Sequence, residues 1–346
     1  MKPGSVLRNA RTLCRLSALP LLLAGQACAD SIGAGAPNVA NASESRHCGA
    51  NGETAILVLG SGGPMHGGGR GSAAYLLLHE GRPVTIVDMG GDTPTALARA
   101  GVRTDRMGML MISHLHPDHV SGLPDFLWGE MVAGRDRPLT LVGPSGSATV
   151  PALDTFLERS FGADGAFPFM AGLFDGDPFE LKTKTVDVDA RRPQAIAELD
   201  SLRFHALGVP HGSTPALAFR ADGPDFRVLF AGDQTARLEA FTRFSADADI
   251  LVVHAMLTPH AANSTLADVV ALPGDLGRQA SEAEVRHLVL GHLMGGRDGE
   301  DDVWSLASMD ELISGIRDHY SGMITVASDG RCIALRRDSH ATRSEH

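Results

Sequence analysis

The sequence predicts an α/β fold in which β-sheets are covered by helices, and three observations carry that expectation. From about Glu53 onward, short apolar runs suited to strands alternate with stretches of helical length and periodicity. No short-period repeat breaks the alternation. Over 346 residues, 43% are hydrophobic and only 21% charged, a composition able to bury a large core and too apolar for a disordered chain.

Taken in order, strands are expected at Ala55 to Leu59, Ala73 to Leu78, Pro83 to Val87, Met109 to Ile112 and Leu139 to Val142. Helices are expected at Thr93 to Ala100, His119 to Val132 and Thr149 to Phe161. A second series of strands follows at Leu202 to Leu207, Ala216 to Phe219, Arg227 to Phe230, Ile250 to Val253, His287 to Leu290 and Met323 to Ala327. Helices at Leu276 to Ala283 and Met309 to Tyr320 precede the last two. Between Pro151 and Phe179 lie Phe156, Phe161, Phe167, Phe169, Phe174 and Phe179, read first as anchors into the core and alternatively as an apolar lid. Trp128 is expected to pack inside the helix that carries it.

Residues 1–29 read as a signal peptide. A basic stretch to Arg15 leads into Leu16, Leu19, Leu21, Leu22, Leu23 and Ala24, followed by the small-residue site Ala27-Cys28-Ala29. Export to the periplasm or beyond is therefore expected. Lipid attachment at Cys28 is an alternative, although Gly25 stands where such sites usually have Leu. Residues 30–52 form a flexible lead-in, 53–337 one domain and 338–346 a tail. Nothing later reaches the roughly 18 uninterrupted apolar residues of a membrane span, so no transmembrane span is expected. Cys48 and Cys332 remain in the mature chain, either as a disulfide suited to an oxidising compartment or as two unpaired thiols.

The formal charge of −11 becomes −15 once Lys2, Arg8, Arg11 and Arg15 leave with the leader. A chain this acidic repels nucleic-acid phosphate unless a local basic patch intervenes, and no basic run exceeds a pair such as Arg336-Arg337. Nucleic acid is accordingly not an expected partner. The pattern specifies no oligomeric state.

The chemistry concentrates in Met111-Ile112-Ser113-His114-Leu115-His116-Pro117-Asp118-His119, an H-x-H-x-D-H pattern at the end of an apolar strand. Imidazole and carboxylate suit a borderline cation such as Zn²⁺, and residues two apart on an extended chain project the same way. His114 and His116 can thus grip one metal, while Asp118 and His119 turn toward a second one about 3.5 to 4 Å away. His211, Asp233 and His292 each end a strand-like run with a glycine beside them. The expected sets are His114, His116 and His211 on one metal, Asp118, His119 and His292 on the other, and Asp233 bridging. No G-x-S-x-G elbow or G-x-x-x-x-G-K loop offers a covalent or nucleotide-cradling alternative.

These residues, in this order, resemble the metallo-β-lactamase fold superfamily over roughly Glu53 to Leu335. The resemblance implies a four-layer αβ/βα sandwich holding two Zn²⁺, with Mn²⁺ or Fe as alternatives, and an Asp88 that orients the metal-binding loop without itself ligating. Leu57-Val58-Leu59-Gly60-Ser61-Gly62-Gly63-Pro64 and His119-Val120-Ser121-Gly122-Leu123-Pro124 resemble the branch holding ribonuclease Z, metal-type arylsulfatases and class II cyclic-nucleotide phosphodiesterases. Asp233 departs from true metallo-β-lactamases, which have Cys or Ser there, and Ala255 departs from the Val-His-Glu-Ala stretch of ribonuclease Z.

The resulting expectation is an exported binuclear zinc hydrolase of the arylsulfatase-like kind, cleaving small-molecule sulfate or phosphate esters with a metal-activated water, so that the expected partner is a small-molecule ester and no nucleic acid. Alternatives are acyl hydrolysis of a lactone, thioester or β-lactam, and a non-catalytic binding protein that keeps the fold. Asp118 would both ligate a metal and orient the attacking water. His254 would act as general acid or substrate clamp, with a structural histidine as the alternative, and His66 and His260 are weaker candidates for lining the pocket.

Overall fold

Apolar runs that alternate between two buried faces build the architecture. In β1 (Ala55–Gly60), Ile56 and Val58 point to one cluster while Ala55, Leu57 and Leu59 point to another. β2 (Ala74–His79) splits the same way, Tyr75 and Leu77 against Ala74, Leu76 and Leu78. Strands buried on both faces need a cover on each, which dictates stacked layers. The computed structural model describes residues 44–335 apart from 51, 66, 258 and 295–308. The leader, the tail and His66 lie outside the described residues, as does the side chain of His260.

Two seven-stranded sheets face each other. The first runs in the order β14 (Cys332–Ala334), β1, β2, β3 (Arg82–Val87), β4 (Met109–Met111), β5 (Leu139–Pro144) and β6 (Leu181–Val186). The second runs β13 (Met323–Val326), β12 (His287–Gly291), β11 (Ile250–His254), β10 (Arg227–Phe230), β9 (Ala216–Asp222), β8 (Leu202–Val209) and β7 (Gln194–Leu199). In both sheets antiparallel hairpins feed a parallel run, β3 to β6 in one and β10 to β13 in the other.

The inner cluster, with Ile56, Tyr75, Phe204, Phe219, Val252 and Val289 among its members, fills the space between the sheets. Outside the first sheet lie α1 (Thr93–Ala100), α3 (Leu123–Val132) and α4 (Leu153–Phe161), through Leu97, Leu123, Leu127, Leu157 and Phe161. Outside the second lie α5 (Glu239–Phe244), α6 (Pro273–Glu282) and α7 (Met309–Arg317), through Phe241, Phe244, Leu276, Leu312 and Ile316. Helix, sheet, sheet, helix is the expected four-layer αβ/βα sandwich. Each buried Leu or Phe contributes on the order of 1.5–3 kcal/mol.

Several elements differ from expectation for physical reasons. The single helix expected over His119 to Val132 divides into α2 (Pro117–Val120) and α3. Gly122 lies against the backbone of β3's following loop, where a Cβ would sit 2.4 Å from the Gly90 carbonyl, and Pro124 restarts the helix in its first turn. β6 and β7 carry no apolar run in the sequence because they are sheet edges, polar and partly exposed, with Lys182 and Lys184 on β6. Of the six phenylalanines, Phe161 and Phe179 are fully buried and Phe156, Phe167 and Phe174 pack partly against the same cluster, so anchoring prevails. Trp128 is corrected: it is 46% exposed and meets the 62% exposed Phe169 edge to face, because it falls on the side of α3 turned from the sheet. Cys48 and Cys332 form a disulfide with Cα atoms 5.4 Å apart, fastening the N-terminal segment to β14. Among the described residues no helix is long and apolar enough to cross a membrane.

Candidate metal centre

The parallel strands of both sheets deliver their C-terminal ends to one edge of the sandwich, and the expected residues stand there. Asp88 follows β3, the H-x-H-x-D-H segment follows β4, His211 follows β8, Asp233 follows β10, His254 closes β11 and His292 follows β12. Asp88 and His292 are non-glycine residues in left-handed backbone, at φ 60° and 53°, strain that clusters at functional sites. At Gly232, φ is 62° and a Cβ would come within 2.7 Å of the Leu217 carbonyl, so only glycine delivers Asp233 here.

Two groups of potential ligands share Asp233. His114, His116, His211 and Asp233 form the first, with all ligand atoms within 4.8 Å of one another. His114 Nε2 lies 2.9 Å from His116 Nδ1, and His211 Nε2 3.4 Å from the same atom. The second group contains His119, Asp233, His254 and His292. Here His119 Nε2 and His292 Nε2 are 3.0 Å apart. Asp118 Oδ2 is 3.1 Å from His292 Nε2 and 3.5 Å from His119 Nε2. Asp233 turns Oδ2 toward His211 and His114, at 3.6 and 3.8 Å, and Oδ1 toward His292 and His119, at 3.6 and 3.9 Å. One carboxylate thus faces both groups.

The outward nitrogens show that the donor set fits cations. The His114 Nδ1 proton goes to Ser113 Oγ at 3.0 Å, and that of His211 Nδ1 to the Val269 carbonyl at 2.9 Å. Nε2 of His116 pairs with Thr214 Oγ1 at 3.3 Å, and Nδ1 of His119 donates to Asp88 Oδ2 at 2.8 Å. The inward Nε2 atoms of His114 and His211 are thus left with lone pairs turned toward His116 Nδ1, an arrangement a divalent cation resolves. Burial, followed by the proximity of His119, holds His114 well below the usual imidazole range, and burial with His211 lowers His116. Both are neutral, as ligands must be. His119 differs: against the effect of burial, Asp88 pushes it up to about 9, so a cation must displace its inward proton. Burial alone would raise Asp233, but the surrounding His292, His254, His119 and His114 take it well below the ordinary carboxylate range.

His254 faces inward. The ring expected to meet a leaving group is 5% exposed, stacks on His292 and sets Nδ1 2.5 Å from Asp233 Oδ1. Burial, then His292, pushes it down to about 4. Ser113, Thr214 and Val269 were not singled out from sequence. Ser113 stands inside the motif and carried a usable signal, since its backbone N–H and hydroxyl both donate to Asp88, at 2.7 and 2.9 Å. Thr214 and Val269 carried none.

A four-layer sandwich with this histidine and aspartate centre at its strand ends is a metallo-β-lactamase fold protein, of the branch that includes ribonuclease Z. The family described as Anti-Pycsar protein Apyc1 matches residues 54–282, and the chain belongs to that family. Ribonuclease Z of Pseudomonas putida is 28% identical over 288 residues, covering 73% of this chain and 87% of the relative. Ribonuclease Z of Mycobacterium bovis is 26% identical, covering 79% and 95%. Among solved structures, the metallo-β-lactamase fold protein YhfI from Bacillus subtilis superposes with a TM-score of 0.60 at 18% identity, covering 82% of this chain and 99% of its own. The short form of human tRNase Z gives 0.59 at 18% identity, covering 82% and 100%.

These relatives overturn one expectation. A partner set limited to small-molecule esters, with nucleic acid excluded, does not stand when the matched relatives are ribonucleases. Net charge is a property of the whole surface, whereas a phosphate is met by the local field, and a bound divalent cation would be the largest local charge at this centre.

Proposed function

We propose that this protein is a metal-dependent phosphodiesterase that cleaves nucleic-acid phosphodiester bonds. The observation that carries the reading is Asp233, one carboxylate facing two separate ligand groups, an arrangement suited to the paired cations of a two-metal hydrolytic site. The likeness to ribonuclease Z supports the phosphodiester as the bond class.

Two divalent cations held here would bring a ligated water to neutral-pH reactivity and draw charge from the phosphoryl oxygens. Zinc is the proposed metal, since imidazole with carboxylate suits it, and Mn²⁺ or Fe would accept the same donors. The protein's own groups supply position. His114, His116 and His211 define one cation subsite, and His119, His292 and Asp118 the other. The Asp118 side chain is 10% exposed, open enough to orient an attacking water. His254 holds Asp233 in place from beneath. We also propose that the chain is exported; the Cys48–Cys332 disulfide supports an oxidising compartment.

The test compares the zinc-loaded mature protein with its Asp233→Ala variant on bis(4-nitrophenyl) phosphate, an RNA oligonucleotide and 4-nitrophenyl sulfate. Phosphodiester hydrolysis that is lost in the variant and after chelation is the expected result. A sulfate rate above both phosphodiester rates would move the assignment to sulfate-ester hydrolysis. No turnover by protein holding two zinc ions would overturn the enzymatic reading.

A further inference from the structure

His292 is held differently from the other histidines of the centre. His114, His116, His119 and His211 each have an outward nitrogen bonded to Ser113, Thr214, Asp88 or Val269. Nδ1 of His292 is buried and has no hydrogen-bond partner among the described residues. Its outer edge instead meets bare backbone: a Cβ on Gly63 would lie 2.7 Å from both Cε1 and Nδ1 of the ring. Ring orientation at this position therefore depends on where the Gly63 backbone stands.

That backbone is fastened on two sides. Toward the centre, Leu293 N donates to the Ser61 carbonyl at 2.8 Å and Gly63 N to the Leu293 carbonyl at 3.1 Å, a reciprocal pair one residue past His292. Away from the centre, Asp329 gathers both ends of the glycine-rich loop. Its Oδ1 accepts from Ser61 N at 2.8 Å and Ser61 Oγ at 2.6 Å, and its Oδ2 accepts from Gly71 N at 2.6 Å. Arg70 adds a clasp, donating from Nη1 to Ser61 Oγ at 2.8 Å and to the Ala327 carbonyl at 3.0 Å. Asp329 itself stands in the turn between β13 and β14, which Gly330 N pins to the Val58 carbonyl at 2.8 Å and the disulfide at Cys332 anchors further on.

We propose that Asp329 is a positioning residue for the metal centre, acting through the Ser61–Gly71 loop to hold the His292 ring. It replaces, by backbone packing, the hydrogen bond that the other ligand rings have. A carboxylate suits the task because three donors converge on it, and charge-assisted bonds of this kind are the strong ones. The consequence for cation binding rests on the two-cation reading above; the consequence for the ring does not.

The test uses Asp329→Ala, with Gly63→Ala as a second variant that leaves Asp329 intact, and wild type as reference. Histidine ring NMR signals of metal-free protein are assigned with His292→Ala and His211→Ala. Both variants are expected to move the His292 signals and leave those of His211 in place. Zinc competition with a chromophoric chelator is expected to give two constants in wild type, of which Asp329→Ala weakens one about 10- to 100-fold while the other stays within about twofold. His292 signals unmoved in both variants would overturn the proposal, as would equal weakening of both constants, the sign of general loosening. Wild type binding fewer than two zinc ions would defeat the two-cation reading, and the ring signals would still decide the role of Asp329.

Discussion

Asp88 Oδ2 and His119 Nδ1, 31 residues apart in sequence, meet at 2.8 Å in the buried layer beneath the metal centre. The same carboxylate accepts from Ser113 N and Ser113 Oγ, so it ties the end of β3 to both ends of the H-x-H-x-D-H segment. A buried acceptor serving three donors orients a ligand ring and costs dearly to remove.

Asp88→Ala should therefore weaken cation binding about 10- to 100-fold, with the larger effect at the subsite of His119. Chelator competition monitored for two separate constants measures it. Unchanged constants would show that His119 is oriented by other contacts.

Removal of the shared carboxylate should differ in kind from removal of one imidazole. Asp233→Ala is expected to retain fewer than two zinc ions and to weaken both constants. His211→Ala should weaken chiefly the first, because His211 contacts only the Oδ2 side of Asp233. Metal content per chain after gel filtration, together with the two constants, distinguishes these outcomes.

Gly291 and Tyr75 form a steric pair across the two sheets. A Cβ at Gly291 would sit 2.1 Å from Tyr75 Oη, and that buried hydroxyl has no hydrogen-bond partner among the described residues. Gly291→Ala should destabilise the fold by about 1–3 kcal/mol through overpacking. Tyr75→Phe alone should be nearly neutral, since it removes an unsatisfied polar atom, and combined with Gly291→Ala it should recover most of the loss. Urea denaturation of the four proteins reads the coupling; additive effects would mean the two side chains do not collide.

The Cys48–Cys332 bond closes a loop with a sequence separation of 284, which restricts the unfolded chain. Cys48→Ser, or reduction without mutation, should lower stability by about 2–4 kcal/mol. Equal urea midpoints with and without reductant would show that the bond adds nothing to the folded chain's stability.

Much of this was legible in the residues themselves. The continuous apolar runs Ala55 to Leu59 and Leu288 to Leu290 marked strands, and the donor types of His114, His116, His119, His211, Asp233 and His292 marked the metal chemistry. Edge strands such as Leu181–Val186 were hidden because a half-exposed strand lacks an apolar run. Net charge misled on nucleic acid because a sum over the surface says nothing about the field at one edge of the sandwich.

Local spacing determined which residues could reach one another along the chain: two apart on an extended segment, His114 and His116 share a direction whatever surrounds them. Tertiary structure alone decided that Trp128 faces outward, that His254 turns under Asp233, and that His292 rests on Gly63 with Asp329 behind it. Those contacts join residues whose separation in sequence reaches 268, as between Ser61 and Asp329. Periodicity describes the faces of a single element, whereas such contacts are set by how whole sheets and loops stack, through packing that no local pattern encodes.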